Sequence, residues 1–317
     1  MRLFVLVIGA YLVVALAMPL YAMLSKSMLN SDGSFTGFTN YVAYFQTPAL
    51  VYSIKNSLFV GLLTTLITVT IAFLLAYALT RSRMPAKPVF KTVAMIPILV
   101  PSLLPGIALI YLFGRQGLIT GLLFGNDIYG PIGIVIAEVF FTLPHALIII
   151  TTALSIADSR LYEAAVSLRA SRVRIFFTVT IPGVRYGLIS AAFVVFTLSV
   201  TDFGAPKVIG GDFNVLATDI YKQVIGQQNF EMGAVVSVIL LIPAGLAFFV
   251  DRVVQKKQVA QVSSGAVALV PTPNKRFDNL MFAYALAVSV FVVGMLGVCQ
   301  YAALVTFFPY DLSLGLS

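Results

Sequence analysis

The chain has 317 residues, of which 60% are hydrophobic and 10% charged, and its mean hydropathy is +1.00. Soluble domains carry roughly 25% charged residues, so we predict an all-α, polytopic transmembrane bundle, with the lipid bilayer as a partner. The net charge of +8 would suggest nucleic acid in a soluble protein, but these charges flank apolar runs, and no nucleic-acid partner is expected. A single cysteine, Cys299, and a single histidine, His145, argue against a disulfide framework and against a metal site.

Seven apolar runs have the length of about 20 residues that a spanning helix needs. They cover residues 3–24, 57–80, 92–114, 131–153, 186–203, 232–250 and 280–308. The first run is longer than the apolar core of about 7 to 15 residues in a secretory signal peptide, so we expect it to remain as a span. The runs are continuously apolar, without the alternation of a membrane β-barrel, and this favours helices.

The third run contains prolines at every fourth position, Pro97, Pro101 and Pro105. Proline removes a backbone donor and clashes with the preceding turn of a helix. A break in a spanning helix is tolerated where neighbouring helices or a cavity satisfy the freed backbone groups. We therefore predict a kinked or partly unwound third span.

The positive charges set the orientation. Fifteen of the 20 lysines and arginines fall in the segments that share a side with the N-terminus, and five fall in the others. Segments rich in Lys and Arg stay in the cytoplasm. The sequence therefore predicts a membrane protein with a cytoplasmic N-terminus, which places the basic segment 158–182 in the cytoplasm.

Two outer segments are long enough to hold structure of their own. Residues 25–56 contain a polar turn followed by several aromatic residues, a pattern typical of a short interfacial helix. Residues 204–231 are mildly acidic and contain Gly210 and Gly211, which predict a turn followed by an amphipathic helix. This second segment is the expected contact for a partner outside the membrane.

The end of the chain repeats its beginning. The Ser-, Gly- and Pro-containing segment 251–279 is expected to be a cytoplasmic linker. A basic flank and the seventh run follow it, as at the N-terminus. We therefore predict a first domain of about six spans in 1–250 and the start of a second half of similar layout in 280–317. The alternative is a seven-span protein whose C-terminus lies outside.

The segment 158–182 is a polar island between two spans. Leu161, Ala164, Ala165 and Leu168 share one face of a helix, and Asp158 or Ser159 could cap its start. Such a helix either docks on a partner or merely connects two spans at the membrane surface.

This segment resembles the EAA motif of permeases of ATP-binding cassette importers. The resemblance is carried by Glu163-Ala164-Ala165, by Ala170-Ser171, by Phe176 or Phe177, and by Val179, Ile181 and Pro182. It implies a cytoplasmic coupling helix that docks on a separate ATPase subunit, with the docking residues Glu163, Ala164, Ala165, Leu168, Arg169, Ala170, Ser171 and Pro182. It further implies a binding-protein-dependent importer permease fold, an extracytoplasmic substrate-binding protein, and a second permease half or homodimer partner.

The same resemblance implies no catalytic residue and no cofactor in this chain, because ATP is hydrolysed on the other subunit. No GxxxxGK[ST] phosphate loop occurs in the sequence. Arg169 departs from the family, which usually has glycine there. Glycine adopts the left-handed conformation of a tight reversal more readily than a residue with a Cβ does. The sequence therefore does not determine the backbone conformation of this turn.

Two acidic residues lie at or within spans. Ionisable residues in a membrane are candidates for function, so Glu138 and the Asp202-Phe203-Gly204 segment are possible pathway or binding-protein contacts. The alternative for Glu138 is that it reaches the lipid headgroups or pairs with a neighbouring helix, and for Asp202 it is a cap on the next turn.

The run from Asp202 through Gly211 to Tyr221 resembles the permeases of the ferric-iron, thiamine and 2-aminoethylphosphonate importers. With the GQQNFEMGA stretch after it, the chain resembles 2-aminoethylphosphonate permeases most. These permeases are often fused double proteins, which agrees with the repeated layout. The alternative substrates are ferric iron and thiamine.

Two other classes of function remain open from the residues alone. A proton-coupled secondary carrier would need inverted repeats and paired acids within the membrane, whereas only Glu138 clearly lies within a predicted span. A membrane anchor without transport activity would need neither.

Overall fold

The computed structural model describes residues 2–261, 267 and 269–306. This part of the chain is helical and contains no β-strand, which confirms the all-α prediction. The helices are α1 Arg2–Leu12, α2 Met18–Lys26, α3 Thr39–Gln46, α4 Pro48–Arg81, α5 Lys87–Met95, α6 Leu103–Phe113, α7 Pro131–Ser155, α8 Ser159–Ser167, α9 Arg172–Ile175, α10 Ile181–Thr201, α11 Gly204–Ile209, α12 Leu216–Tyr221, α13 Phe230–Gln261 and α14 Lys275–Leu304. Short π-helical or 3₁₀ turns cover Val13–Ala17, Ile96–Leu99, Thr120–Leu123, Phe176–Thr180 and Lys222–Gly226.

The length and apolar character of the helices confirm a polytopic membrane protein. Among the described residues, six helices are long and apolar enough to span a bilayer, and one bent pair brings the number to seven if it counts as one span. The six are Phe4–Lys26, Pro48–Arg81, Pro131–Ser155, Arg172–Thr201, Phe230–Lys256 and Lys275–Leu304.

The bent pair is the proline-rich third run. Lys87–Leu99 and Leu103–Phe113 meet at 105° across a break of three residues. Pro97 lies in the 3₁₀ turn, Pro101 in the break and Pro105 in the first turn of α6. Each is a position where a missing N–H is tolerated, at a turn or at a helix start. The predicted kink is therefore confirmed, and it is a sharp break.

The helices extend beyond the predicted apolar runs. The span predicted over 186–203 begins at Arg172, and α13 and α14 occupy most of the segment 251–279 that was interpreted as a linker. Hydropathy marks only the residues inside hydrocarbon, whereas backbone hydrogen bonds continue a helix into the charged flanks. The stretch between α13 and α14 is therefore shorter than the predicted linker of residues 251–279. Residues 262–266, 268 and 307–317, which include part of that linker and the end of the seventh run, lie outside the described residues.

One compact unit contains Met1–Leu58 and Phe213–Gly245. Its core joins α3, the start of α4, α12 and α13 through a cluster of buried side chains: Tyr44, Leu50, Leu216, Val235, Val236 and Ile239. The hydroxyl of Tyr44 donates to the Leu50 carbonyl at 2.8 Å, and Lys26 pairs with Glu231 at 2.9 Å. The predicted surface helix of segment 25–56 is present as α3.

The second compact unit contains Phe59–Asp212 and Leu246–Ser317. Helix α7 lies at its centre, packed on α6 and α10, and 15 of its residues are buried. Helix α14 packs on α5 and α6. The Asp278 carboxylate accepts from the Arg83 backbone N–H at 2.7 Å, and the Tyr284 hydroxyl donates to the Ile71 carbonyl at 2.9 Å. The start of the seventh run is therefore tied to the preceding helices by polar contacts.

Candidate functional site

The coupling loop, residues 158–182, begins with a capped helix. Asp158 has an extended backbone, and its side chain accepts from the Arg160 N–H at 3.1 Å, so Asp158 rather than Ser159 caps α8. Ser171 does the same for α9, accepting from the Arg174 N–H at 3.3 Å. Each cap satisfies one donor that a helix start leaves free.

Arg169 ends α8 in the left-handed conformation, with φ of +52°. Its N–H donates to the Val166 carbonyl at 2.8 Å, and the Ala170 N–H donates to the Ala165 carbonyl at 3.0 Å. These two bonds form a Schellman motif, in which the left-handed position is usually glycine. The chain therefore makes the tight reversal with an arginine in place of glycine.

The predicted apolar face of α8 is uncovered by the described part of the chain. The side chains of Leu161 and Leu168 are 59% and 83% exposed. Glu163 and Ala164 are also exposed, whereas Ala165 and Ala170 are half-buried. Apolar side chains on a short exposed helix are typical of an interaction surface. Most of the predicted docking residues thus lie on α8 and its C-terminal turn, whereas Ser171 caps α9 and Pro182 lies in α10.

The rest of the coupling loop leads back into a span. Phe176 packs edge-on against Phe73 and Tyr77 of α4, with ring centroids 6.0 and 5.8 Å apart, while Phe177 is 64% exposed. Pro182 is exposed in the first turn of α10, where a proline needs no donor. Of the two phenylalanines considered, Phe176 is the one that anchors the loop.

Tyr162, Thr180 and Arg81, which no sequence motif indicates, hold α8 against the bundle. The Tyr162 hydroxyl donates to Thr180 Oγ1 at 3.1 Å, and the Arg81 guanidinium lies 5.3 Å from the Tyr162 ring centre. Arg81 also donates to the Leu154 carbonyl at 2.8 Å. The i+1 position of Tyr162 relative to Leu161 places it on the inward side of α8, which is the signal that could have identified it.

The second candidate region surrounds Glu138. This side chain is fully buried in α7, and its carboxyl interacts electrostatically with that of Asp202. No described residue gives either Glu138 oxygen a hydrogen bond of normal geometry. The Asp202 carboxylate also accepts from the Ala205 N–H at 2.9 Å, so it caps α11. This is the capping role that the sequence offers for Asp202. The structure also brings together Glu138 and Asp202, which are separate candidates in the sequence.

The backbone breaks of two helices meet beside these acids. A Cβ on Gly204 would lie 2.2 Å from Ser102 Oγ and 2.9 Å from the Leu103 backbone nitrogen. Only glycine allows α11 to approach the break before α6 so closely. Phe203, the neighbour of Gly204, is 36% exposed.

The segment after α11 holds one further buried acid. Gly211 makes the predicted turn with φ of +56°, and α12 follows. Asp219 in α12 is 4% exposed, and burial raises the pKa of its carboxyl above the usual value. A contact with Ser53 and the charge of Lys222 oppose that shift.

Comparison with known proteins identifies a family and several relatives. The sequence model of the family described as "Binding-protein-dependent transport system inner membrane component" matches residues 68–259. The ferric transport system permease protein FbpB of Actinobacillus pleuropneumoniae is 34% identical over 154 residues, which are 46% of this chain and 22% of that protein. A putative ferric transport system permease protein FbpB 1 of Haemophilus influenzae is 34% identical over 153 residues, 46% of this chain and 24% of that protein. The match thus spans about a quarter of the length of these relatives.

A solved structure shares the fold. In the bacterial alginate ABC transporter in complex with an alginate pentasaccharide-bound periplasmic protein, one chain superposes with a TM-score of 0.61 and 14% identity. The superposition covers 84% of this chain and 96% of that one. The matched family region contains the whole coupling loop, Glu138 and Asp202.

Proposed function

Because the chain belongs to the family of binding-protein-dependent transport system inner membrane components, we propose that it is the membrane-spanning permease subunit of an ATP-driven importer. The observation that carries the proposal is the coupling loop. Its short helix α8 exposes Glu163, Ala164, Leu161 and Leu168, and a Schellman turn at Arg169 fixes its end. An exposed amphipathic helix held rigidly between two spans is suited to pass motion from a partner to the spans.

The partner of α8 in this proposal is a cytoplasmic ATPase subunit, which hydrolyses ATP in place of this chain. The energy enters as a difference in affinity between two conformations of the transporter for nucleotide. Tyr162 of α8 contacts Thr180 in the segment that leads into α10 and Arg81 at the end of α4. Arg81 in turn donates to the Leu154 carbonyl at the end of α7. A displacement of α8 is therefore transmitted directly to the bundle.

The proposed orientation places the N-terminus and the coupling loop in the cytoplasm of a bacterium, with the chain in the inner membrane. The three-to-one bias of lysine and arginine towards these segments supports it. The segment around α3 and the segment from Gly204 to Glu231 then lie outside. The second of these is the proposed main contact for a substrate-loaded binding protein. The structural relative in complex with a periplasmic protein supports this assignment.

A second permease half, or a second copy of this chain, completes the proposed transporter. None of the side chains of the predicted span Phe4–Lys26 is buried within the described part of the chain. An apolar helix of this kind needs lipid or a neighbouring helix around it. We further propose that 280–317 begins that second half in a fused permease.

The proposed pathway passes the Glu138–Asp202 pair. Both acids lie beside the breaks before α6 and α11, where irregular backbone in a membrane is tolerated only against protein or a cavity. Substrate contact by Glu138, Asp202, Phe203 or Gly204 is part of the proposal.

The substrate is proposed to be a small solute delivered by the binding protein. The names of the two relatives favour ferric iron, whereas the resemblance of the Asp202 to Tyr221 run favours 2-aminoethylphosphonate. Ferric iron is therefore the first candidate to test and 2-aminoethylphosphonate the second.

Uptake in cells that make the chain together with its ATPase and binding protein tests the proposal. Radioactive ferric iron and 2-aminoethylphosphonate are offered separately, with either ATP or the proton gradient removed. We expect uptake of one of them to stop without ATP and to persist without the gradient. Uptake that persists without ATP and stops with the gradient would show a secondary carrier instead.

A further inference from the structure

A cavity of about 290 Å³ lies behind the coupling loop. One wall is the inward side of α8 and α9 with the π-helical turn after them, and the opposite wall is the strap segment, residues 269–274, with the start of α14. A hydrogen bond from the Arg83 Nε to the Pro271 carbonyl, at 2.8 Å, holds the strap segment in place. Just before the strap segment, the Ser159 N–H donates to the Val267 carbonyl at 2.9 Å. The coupling loop and the segment before the seventh run thus share this cavity.

Two arginines face this cavity, Arg81 from the end of α4 and Arg172 from the start of α9. Arg81 uses one terminal nitrogen for the Leu154 carbonyl, but its Nε is buried and no described residue accepts a hydrogen bond from it. The described residues contain no carboxylate paired with either arginine. A guanidinium carries five N–H donors, so both arginines keep donors that these contacts do not use.

The other lining residues define what kind of anion fits. None of the described lining residues is acidic, and Tyr162, Thr180 and Asn274 add hydroxyl and amide groups near the arginines. Phe176, Val270 and Phe277 make the remaining wall apolar. Two guanidiniums beside apolar walls suit a phosphate group that carries an apolar tail, or a compact oxyanion alone.

Two of the lining residues mark the ends of helices that are long enough to span a bilayer. Arg81 is the last residue of α4, and Phe277 lies in the first turn of α14, so the cavity sits where two spanning segments end. Basic pockets between spanning helices at this depth bind the head groups of anionic lipids.

We propose that this cavity binds a phosphate-type oxyanion between Arg81 and Arg172, supplied by the headgroup of an anionic phospholipid or by a free phosphate. The oxyanion accepts from the guanidiniums of Arg81 and Arg172, which both line the cavity, and so joins α4 to α9 across the coupling loop. This proposal takes only the name of the coupling loop from the proposed function. Binding itself needs neither an ATPase nor a transported substrate.

The test uses the delipidated chain in detergent, titrated with phosphatidylglycerol, phosphatidylcholine or inorganic phosphate. Native mass spectrometry counts bound lipid, and the shift in melting temperature reports stabilisation by ligand. The variants are Arg172→Gln and, as a matched control, Arg174→Gln, an arginine of the same short helix that does not line the cavity. Loss of one charge-assisted contact should weaken binding about tenfold.

We expect phosphatidylglycerol to bind the wild-type chain and the Arg174→Gln variant alike, and the Arg172→Gln variant about tenfold more weakly. If inorganic phosphate instead shows this dependence on Arg172 and phosphatidylglycerol does not, the site belongs to a free oxyanion. Val270→Asp gives a second check, because Val270 is 72% exposed and tolerates a polar group, while the new carboxylate repels an anion. The proposal is overturned if Arg172→Gln and Val270→Asp bind both probes as the wild type does, an outcome that leaves the proposed function untouched.

Discussion

Arg169 shows how one residue can hold an unfavourable backbone conformation at a site of proposed function. Its φ of +52° lies in the left-handed region, which costs a residue with a Cβ roughly 1–2 kcal/mol. The two hydrogen bonds of the Schellman motif and the cap at Ser171 determine the turn on both sides. The reversal is therefore dictated by its surroundings and not by the residue that occupies it.

We predict that Arg169→Gly stabilises the chain by about 1 kcal/mol, because glycine reaches the left-handed region without strain. A thermal melt in detergent should rise by roughly 2 °C. Leu168→Gly is the control, since Leu168 has φ of −81° and gains nothing from glycine. A melting temperature of Arg169→Gly at or below that of Leu168→Gly would contradict this explanation of the turn.

Asp219 is a buried acid outside the spans, and its pKa predicts a dependence on pH. Because burial raises the pKa of Asp219 in the folded chain, the folded state binds the proton more tightly than the unfolded state does. The stability contributed by this group is present below the unfolded pKa of about 3.9 and is lost as the pH rises through the folded pKa.

Asp219→Asn should therefore gain stability relative to the wild type as the pH rises across that window, measured as the free energy of unfolding in denaturant. Asp32→Asn gives the opposite sign. The pKa of Asp32 is lowered by hydrogen bonds from the Ser34 side chain and N–H, so its contribution is present above the unfolded pKa and disappears in acid. A difference between Asp219→Asn and the wild type that does not change with pH would show that burial does not raise the pKa of Asp219.

At the scale of the elements, the broken third span and the loop before α11 form one structural feature. The three prolines place a 105° bend between Lys87–Leu99 and Leu103–Phe113. Gly204 then allows α11 to approach that break at distances that no side chain permits. Neither break would be stable alone in a membrane, because each frees backbone groups that the other region helps to enclose.

Gly204→Ala should destabilise the chain by about 1–3 kcal/mol, since the new methyl meets the Leu103 backbone as well as Ser102 Oγ. Gly183→Ala is the matched control in α10. No atom lies within 4 Å of its new Cβ, and alanine favours a helix by about 0.5–1 kcal/mol. Chemical denaturation of both variants measures the contrast. Equal stability of the two would show that the close approach at Gly204 is not required.

The sequence predicted most of these elements for clear physical reasons. Continuous apolar runs located the spans, and prolines located the break. The resemblance of 158–182 to the EAA motif predicted the coupling loop. Hydropathy could not show that α13 continues to Gln261 or that the span after the coupling loop begins at Arg172, because charged residues outside hydrocarbon remain helical.

Long-range contacts were beyond the sequence as well. Arg81 and Tyr162 are 81 positions apart, and Glu138 and Asp202 belong to different predicted spans. No periodicity within one segment reports which side chains of two helices meet. The acids were recognised individually as rare intramembrane charges, but their pairing required the fold.

At the scale of the whole molecule, the family region, the fold and the coupling loop support one account. The chain belongs to the inner-membrane components of binding-protein-dependent transport systems, and its α8 presents an uncovered face. The basic flanks, the unburied first span and the repeated layout at 280–317 support the proposed arrangement of two halves around a pathway. All of these proposals depend on α8 engaging an ATPase.

Co-purification of the ATPase subunit with this chain in detergent measures that engagement directly. Glu163 is exposed on α8, so Glu163→Arg changes the docking face without disturbing the core. The control is Asp212→Arg, which makes the same change of charge at an exposed acid between α11 and α12. We predict that the wild-type and Asp212→Arg chains retain the ATPase and that Glu163→Arg retains at least about tenfold less, as expected for a charge reversal in an interface. Retention of the ATPase by Glu163→Arg at the wild-type level would contradict the account.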